Sequence, residues 1–230
     1  CYEVETSFYG DLRDALDVHA PQCHFVERNG ETDDFLLLLE DFAPCRQGDQ
    51  IAGCNLAEAR ACVDELVRLH GPLWNSPLLA RLGWLNRSSP DQRLASYGLM
   101  QSVFPGFMKR YRDRLTPAAC MVGDEFARDA GDYSSRIAPH STVVHGDFRL
   151  DNLLFTESPH GTQVQVVDWQ TASISSGATD LAYFVGASFS PEQRRKVEGE
   201  LVHRYHDGLV QSGITMSWTE AWDQYRLFAT

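Results

Sequence analysis

The fold is decided by VVHGDFRLDNLLF at residues 143–155 and by VQVVDWQ at residues 164–170. Within these stretches, Leu153–Phe155 and Val164–Val167 predict the two strands of a hairpin. The loop between the strands is Ser158-Pro159-His160-Gly161. The hairpin therefore places residues that precede its first strand beside residues that follow its second strand.

Three oxygen-bearing side chains lie at that end of the predicted hairpin. Asp147 and Asn152 share the preceding loop, and Asp168 directly follows the second strand. Carboxylate and amide oxygens are ligands suited to Mg²⁺, which also retains waters and phosphate oxygens. The same spacing of Asp, Asn and a later Asp serves phosphoryl transfer in protein kinases.

The motifs differ from those of protein kinases in two places. Protein kinases have His-Arg-Asp where this chain has His145-Gly146-Asp147. They have Asp-Phe-Gly where this chain has Asp168-Trp169-Gln170. Together with TDLAYFVG at residues 179–186, they resemble the aminoglycoside phosphotransferase, choline kinase and ecdysteroid kinase-like group. The resemblance implies a two-lobed protein-kinase-like fold, with ATP and Mg²⁺ as cofactors and a small-molecule alcohol as the phosphate acceptor.

The resemblance also assigns roles to individual residues. Asp147 would position the acceptor hydroxyl and take its proton, with Arg149 either neutralising phosphate charge or serving as an ordinary surface arginine. His145 would brace the loop rather than carry a proton, and Asp180 would cap its helix and brace the site. Asn152 and Asp168 would bind the metal. The residues implied at the nucleotide are Glu5, as partner of a phosphate-binding Lys, and Leu39, Glu40, Phe42 and Leu154.

The rest of the chain predicts an α+β fold. A helix over Glu3–Leu16 precedes strands at Phe25–Arg28 and Phe35–Leu39, the second leading into a nucleotide-binding hinge in the family. Asn55 begins the next helix, with Glu58 completing a capping box. A boundary near residues 43–53 would separate a partial nucleotide-binding lobe (1–44) from a larger, mostly helical lobe (45–230).

The region after this helix predicts more helix up to about residue 138, with breaks at Ser88-Ser89-Pro90 and Pro105-Gly106. A short β segment begins at Val143-Val144, and the chain returns to helix from Asp180.

The amino-acid composition limits the kinds of partner that the protein is expected to bind. The 32 acidic residues exceed the 20 basic ones and give a net charge of -12, which argues against nucleic-acid binding. The acidic field could attract cationic substrates or only keep the protein soluble. Apolar runs such as Phe35–Leu39 are too short to span a bilayer, and no signal peptide is visible. Scattered cysteines without a metal-site spacing predict a reduced, cytoplasmic protein.

Two parts expected of the family do not occur in the sequence. It has no Gly-x-Gly pair, and its lysines, Lys109 and Lys196, both follow the predicted hinge. An N-terminal truncation would account for this pattern, and this chain alone would then be expected to be inactive as a kinase. A nucleotide-binding pseudokinase is the alternative. A metal-dependent hydrolase at His145, Asp147 and Asp168 is a weaker alternative, because the loop offers too few clustered ligands.

Overall fold

A computed structural model describes residues 2–32, 34–87, 90–135, 140–159 and 161–229. Helices and short sheets are mixed along the chain, as the α+β prediction requires. The helices are α1 (Tyr2–Ser7), α2 (Leu56–His70), α3 (Pro90–Tyr111), α4 (Pro117–Ser135), α5 (Ala178–Ala187), α6 (Pro191–Gln211) and α7 (Trp218–Phe228). The strands are β1 (Cys23–Arg28), β2 (Phe35–Leu39), β3 (Arg46–Gln47), β4 (Asn86–Arg87), β5 (Thr142–Val144), β6 (Leu153–Ser158), β7 (Gly161–Val166) and β8 (Ser173–Ser175).

The first helix and sheet follow the predicted pattern. After α1 the chain continues as a π-helical turn and then a 3-10 turn, which ends at Ala15. Strands β1 and β2 then pair antiparallel, with Val26 opposite Leu37. The turn between them is closed by the Asn29 amide, which donates 2.8 Å to the carbonyl of Asp34.

Helix α2 anchors the large helical part. The Asn55 side chain accepts from the Glu58 amide, and the Glu58 side chain accepts from the Asn55 amide. This is the predicted capping box, and it satisfies two backbone donors at the helix start. On the exposed side, Arg204 of α6 makes a two-pronged ion pair with Asp64 of α2, at 2.6 and 2.7 Å.

Two small sheets carry the central motifs. Strands β6 and β7 form the predicted hairpin, paired antiparallel from Leu153–Val166 to Ser158–Gly161, and β3 pairs with the other edge of β6. His160 of the predicted loop lies outside the described residues. The other sheet has the order β4-β8-β5. Fully buried side chains such as Phe148, Leu150 and Trp169 fix both sheets to the core.

The chain divides into two compact units, one formed by residues 1–86 and 139–230 and the other by residues 87–138. In the smaller unit, α3 and α4 pack against each other, and Gln101 Nε2 donates 2.7 Å to the carbonyl of Ala127. The predicted break at Pro105-Gly106 is wrong, because α3 continues through Pro105. The other predicted break includes Ser88 and Ser89, which are outside the described residues, and α3 begins at Pro90. The proposed boundary between residues 44 and 45 stays a prediction.

Among the helices that the structure describes, none is both long and apolar enough to cross a membrane.

Candidate active site

The candidate catalytic loop, residues 145–152, follows β5 and buries the residues that lie between its polar side chains. Phe148 and Leu150 are fully buried, whereas Asp147 and Arg149 are half-exposed. A single 3-10 turn, Leu150–Asn152, then leads directly into β6. This alternation holds the loop in the core and leaves the Asp147 carboxylate accessible.

The Asp147 carboxylate is held by a donor on each oxygen. Asn152 Nδ2 donates to Oδ2 at 3.0 Å and to the Asp147 carbonyl at 2.9 Å. The Tyr183 hydroxyl donates to Oδ1 at 3.2 Å. The side chain is still 33% exposed, so a substrate can reach it. The structure therefore brings Asp147 and Asn152 together as the spacing predicts.

Arg149 lies beside Asp147 but is paired with another residue. Its guanidinium forms an ion pair with Asp151, and its Nε is 4.0 Å from Asp147 Oδ2. The Nε is buried and has no hydrogen-bond partner in the described part of the chain. Its two suggested roles both remain open, because the guanidinium is near the loop without being bonded to Asp147.

His145 is a buried support of the loop. Its Nε2 is 3.0 Å from the Val167 carbonyl, which can only accept, so Nε2 carries the proton. Its Nδ1 then accepts from the Asp147 amide at 3.2 Å. Burial lowers the pKa of His145, which keeps the imidazole neutral. Both ring nitrogens are thus occupied in bracing the loop.

The Asp180 carboxylate holds the same loop through two of its backbone amides. Its Oδ2 accepts from the His145 amide at 2.7 Å, and its Oδ1 accepts from the Gly146 amide at 3.0 Å. The predicted helix cap is wrong, because Gly177 is the N-cap of α5 and Asp180 lies within the first turn. The carboxylate is turned to the loop amides instead, and this agrees with the predicted bracing role.

A buried chain of hydrogen bonds supports Asp180. His70 Nε2 is 3.3 Å from Asp180 Oδ2, and His70 Nδ1 is 2.8 Å from the Tyr205 hydroxyl. Burial by itself would raise the pKa of Asp180, but the hydrogen bond and charge of His70 and the His145 amide lower it overall. Asp180 is therefore an ionised carboxylate inside the core, stabilised by donors from α2 and the catalytic loop.

Asp168 stands at the end of the hairpin in a left-handed backbone conformation, with φ of 66°. The preceding Val167 amide donates 3.0 Å to the Asn152 carbonyl, which holds this corner against the loop. The Trp169 ring stacks on Phe8, with ring centroids 3.8 Å apart. Asp168 is thus fixed beside the Asn152 segment, as the hairpin predicts.

Glu5 of α1 lies close to Asp168. Burial and then the negative charge of Asp168 raise the pKa of Glu5 above its ordinary value. The backbone hydrogen bond from Trp169 opposes this rise without cancelling it. A cation at this position would be favoured by both acidic groups.

The side-chain oxygens of Asn152 and Asp168 are of the chemical type that magnesium binds. In the described residues, the Asn152 amide nitrogen makes the hydrogen bonds and its oxygen accepts none. Asp168 Oδ2 accepts only a long 3.3 Å bond from Gln170 Nε2. No cluster of three His, Cys, Asp or Glu side chains suited to a metal occurs within the described ranges. A cation here would need other ligands, which for Mg²⁺ are waters and phosphate oxygens.

The predicted hinge leaves two backbone groups available. The Glu40 amide donates 2.9 Å to the Gln22 carbonyl, and the Phe42 carbonyl accepts 2.7 Å from the Cys45 amide. The Glu40 carbonyl and the Phe42 amide make no hydrogen bond within the described part of the chain. Leu39 and Leu154 are each half-buried, at the end of β2 and in β6.

The segment after the hinge contacts the catalytic loop directly. Gln50 Oε1 accepts 2.9 Å from the Leu150 amide, and Gln50 Nε2 donates 2.6 Å to the Ala187 carbonyl at the end of α5. The Gln50 amide donates 3.0 Å to Asp151 Oδ1. Gly48 is required nearby, because a Cβ there would overlap the Leu150 carbonyl oxygen.

Sequence reasoning missed Tyr183, Gln50 and His70. A signal for Tyr183 was present, because it follows Asp180 by three residues and helix positions three apart share a face. Gln50 and His70 are separated from the loop by about a hundred and by 75 residues. Only the folded chain brings them to it.

We expect Gly146→Ala to destabilise the catalytic loop. Gly146 has φ of +82°, and a Cβ there would lie 2.6 Å from the Thr171 carbonyl oxygen. The left-handed backbone alone costs an alanine about 1–3 kcal/mol, and the overlap adds to it. Urea unfolding gives the change in free energy. The control is Gly199→Ala in α6, where the Cβ position meets open space. Equal stability of the two variants would contradict the strained geometry of the loop.

Solved structures with a similar fold include aminoglycoside phosphotransferases and a choline/ethanolamine kinase family protein. An aminoglycoside phosphotransferase from Streptomyces rimosus, solved with ADP and streptomycin, has a TM-score of 0.57 and 18% identity, covering 99% of this chain and 79% of that chain. A choline/ethanolamine kinase family protein from Mesorhizobium loti has a TM-score of 0.55 and 14% identity, covering 99% and 79%. APH(2″), solved with GDP and kanamycin, has a TM-score of 0.63 and 15% identity, covering 99% and 72%.

Fold and motifs thus define the class as the small-molecule kinases of protein-kinase-like fold. A sequence model of the ecdysteroid kinase-like family matches residues 95–216, more than half of the chain. The chain belongs to the ecdysteroid kinase-like family. A curated relative, acyl-CoA dehydrogenase family member 10 of Mus musculus, is 42% identical over 52 residues, which are 22% of this chain and 5% of that protein.

Proposed function

We propose that the protein transfers the γ-phosphate of ATP to a hydroxyl group of a small molecule. The observation that carries the proposal is the Asp147 carboxylate, which is accessible, fixed by two donors and adjacent to Asn152. Phosphoryl transfer depends on positioning and charge stabilisation, and requires little covalent chemistry from the protein. An oriented carboxylate beside metal-binding oxygens is the arrangement that this reaction uses.

Asp147 acts on the acceptor. Its oxygens each retain a lone pair after accepting one hydrogen bond. An acceptor hydroxyl can therefore donate to the carboxylate and be aligned for attack on phosphorus. The buried, neutral His145 remains a support of this carboxylate, because both of its ring nitrogens are already bonded.

The predicted hinge binds the nucleotide base. The free Glu40 carbonyl and Phe42 amide supply one acceptor and one donor for an adenine edge, with the Leu39 and Leu154 side chains at its faces. Asn152 and Asp168 would hold Mg²⁺, which when bound would neutralise charge on the phosphates. The acidic Glu5, next to Asp168, would pair with a lysine that contacts the phosphates.

The acceptor is an alcohol of low molecular weight. Solved proteins of this fold contain ADP with streptomycin or GDP with kanamycin. Those complexes support a nucleotide and a small polar acceptor for this chain as well. A screen of pooled alcohols with the full-length protein and ATP, read by mass spectrometry, identifies the acceptor. Failure of every pool while ATP still binds would favour the pseudokinase alternative.

We expect Asp168→Ala to remove the magnesium dependence of ATP binding. The carboxylate is the one charged oxygen ligand of the proposed pair, and even outer-sphere partners of a metal are worth about 10–100-fold in affinity. Isothermal titration of the full-length variant with ATP, with and without Mg²⁺, measures the effect. The matched control is Asp223→Ala, an exposed residue of α7. ATP binding that keeps its full magnesium dependence would exclude Asp168 as a ligand.

A further inference from the structure

Tyr183 contacts the candidate base from the solvent side. It lies on α5, one turn after Asp180, and 41% of the residue is exposed. Its hydroxyl donates to Asp147 Oδ1 at 3.2 Å. Asp180 bonds α5 to the catalytic loop, so the helix presents the Tyr183 phenol to Asp147 in a fixed orientation.

Tyr183 contributes little to the core. Its neighbours Ala182 and Phe184 are buried, whereas Tyr183 itself is 41% exposed. Tyr183→Phe keeps the ring and its apolar contacts, so the change should cost little stability. The polar contact with Asp147 is then the main consequence of having tyrosine at this position.

The hydrogen bond from Tyr183 limits rotation of the Asp147 carboxylate. The χ2 torsion of an aspartate has a broad distribution, so a single hydrogen bond leaves the carboxylate free to rotate over part of that range. In this site Asn152 holds Oδ2 from within the loop and Tyr183 holds Oδ1 from the exposed side. Two donors on different oxygens fix the carboxylate plane.

We propose that Tyr183 is a positioning residue that fixes the Asp147 carboxylate for the incoming hydroxyl and marks the side from which the acceptor enters. The proposal rests on the phosphotransferase function proposed above. During transfer, the acceptor hydroxyl gives its proton to Asp147, its oxygen bonds to the γ-phosphorus, and the bond to the bridging oxygen breaks to release ADP. Tyr183 keeps its own proton throughout.

The phenol is suited to remain a donor. Burial and then the Asp147 charge raise the pKa of Tyr183 above its ordinary value. The hydroxyl is therefore protonated across the neutral range and can donate to Asp147 at every stage. Arg149, close to both groups, opposes this rise but does not cancel it.

The test compares Tyr183→Phe with the wild-type full-length protein, using water as the acceptor and phosphate release from ATP as the readout. Loss of a hydrogen bond to a charged group predicts a kcat lower by about 10–100-fold. The KM for ATP should stay within about twofold, because the phenol contacts the acceptor side. The control is Tyr111→Phe at the end of α3, whose hydroxyl has no hydrogen bond in the part of the chain described.

A second measurement separates positioning from a general effect on the fold. In an Asp147→Asn background, Tyr183→Phe should change the residual rate by no more than about twofold, because its effect passes through the carboxylate. A full additional loss in that background would overturn the proposal, as would unchanged kcat in the single variant. Wild-type protein that neither binds ATP nor releases phosphate would overturn the proposed function itself, and this assignment with it.

Discussion

Replacing Asp147 with asparagine is expected to lower the rate of phosphoryl transfer by about 10²–10⁴-fold, which is the usual contribution of a positioned general base. The amide cannot take the acceptor proton. The amide also offers only one acceptor oxygen to Asn152 and Tyr183, which donate to the two oxygens of the native carboxylate. Single-turnover kinetics with ATP and the identified acceptor measure the chemical step.

Nucleotide binding should survive this change. The proposed contacts to ATP come from the hinge and from Asn152 and Asp168. The Kd for ATP in Asp147→Asn is therefore expected to stay within a few-fold of the wild-type value. The surface control is Asp14→Asn, whose side chain is 92% exposed. A rate loss smaller than about tenfold, with chemistry rate-limiting, would exclude Asp147 as the base.

Replacing Asp180 with alanine is expected to cost about 3–5 kcal/mol in the free energy of unfolding, as when one member of a buried charged pair is removed. The amides of His145 and Gly146 would lose their acceptor, and His70 would lose one of its two partners. Urea unfolding measures the loss, which is large enough to leave part of the protein unfolded.

The same carboxylate predicts a direction for acid stability. The pKa of Asp180 in the folded protein is below its ordinary value, so the unfolded state binds a proton first as the pH falls. Its contribution is fully present above about pH 3.9 and is lost as the pH falls through the folded pKa. Asp180→Asn should be less stable at neutral pH and should show a smaller further loss in acid. An unchanged acid dependence in this variant would contradict an ionised Asp180.

Local structure could be predicted where nearby residues decide it. The Asn55–Glu58 capping box needs only four consecutive residues, and the structure confirms it. The β6–β7 hairpin likewise forms between neighbouring strands. The predicted break at Pro105 is wrong, although it used the same kind of local rule. Proline weakens one turn of a helix, and packing of the long α3 against α4 can outweigh that local cost.

Long-range polar contacts could not be predicted in the same way. The preference of aspartate for helix starts suggests a cap at Asp180, yet its carboxylate bonds to amides of the catalytic loop. The position of Arg149 in the sequence likewise does not reveal that its guanidinium pairs with Asp151. A single sequence fixes the residue type at each position but not the partner that a flexible polar side chain will select.

The sequence by itself determined the class of protein, the hairpin that joins Asn152 to Asp168, and the identity of the candidate base, because these depend on motif spacing within about twenty residues. Only the tertiary structure decided that Tyr183 holds Asp147, that Gln50 ties the segment after the hinge to the loop, and that His70 supports Asp180 from α2. The physical reason is that burial forces each polar group to find a partner, and that partner is whichever donor or acceptor the packing of distant helices brings within about 3 Å.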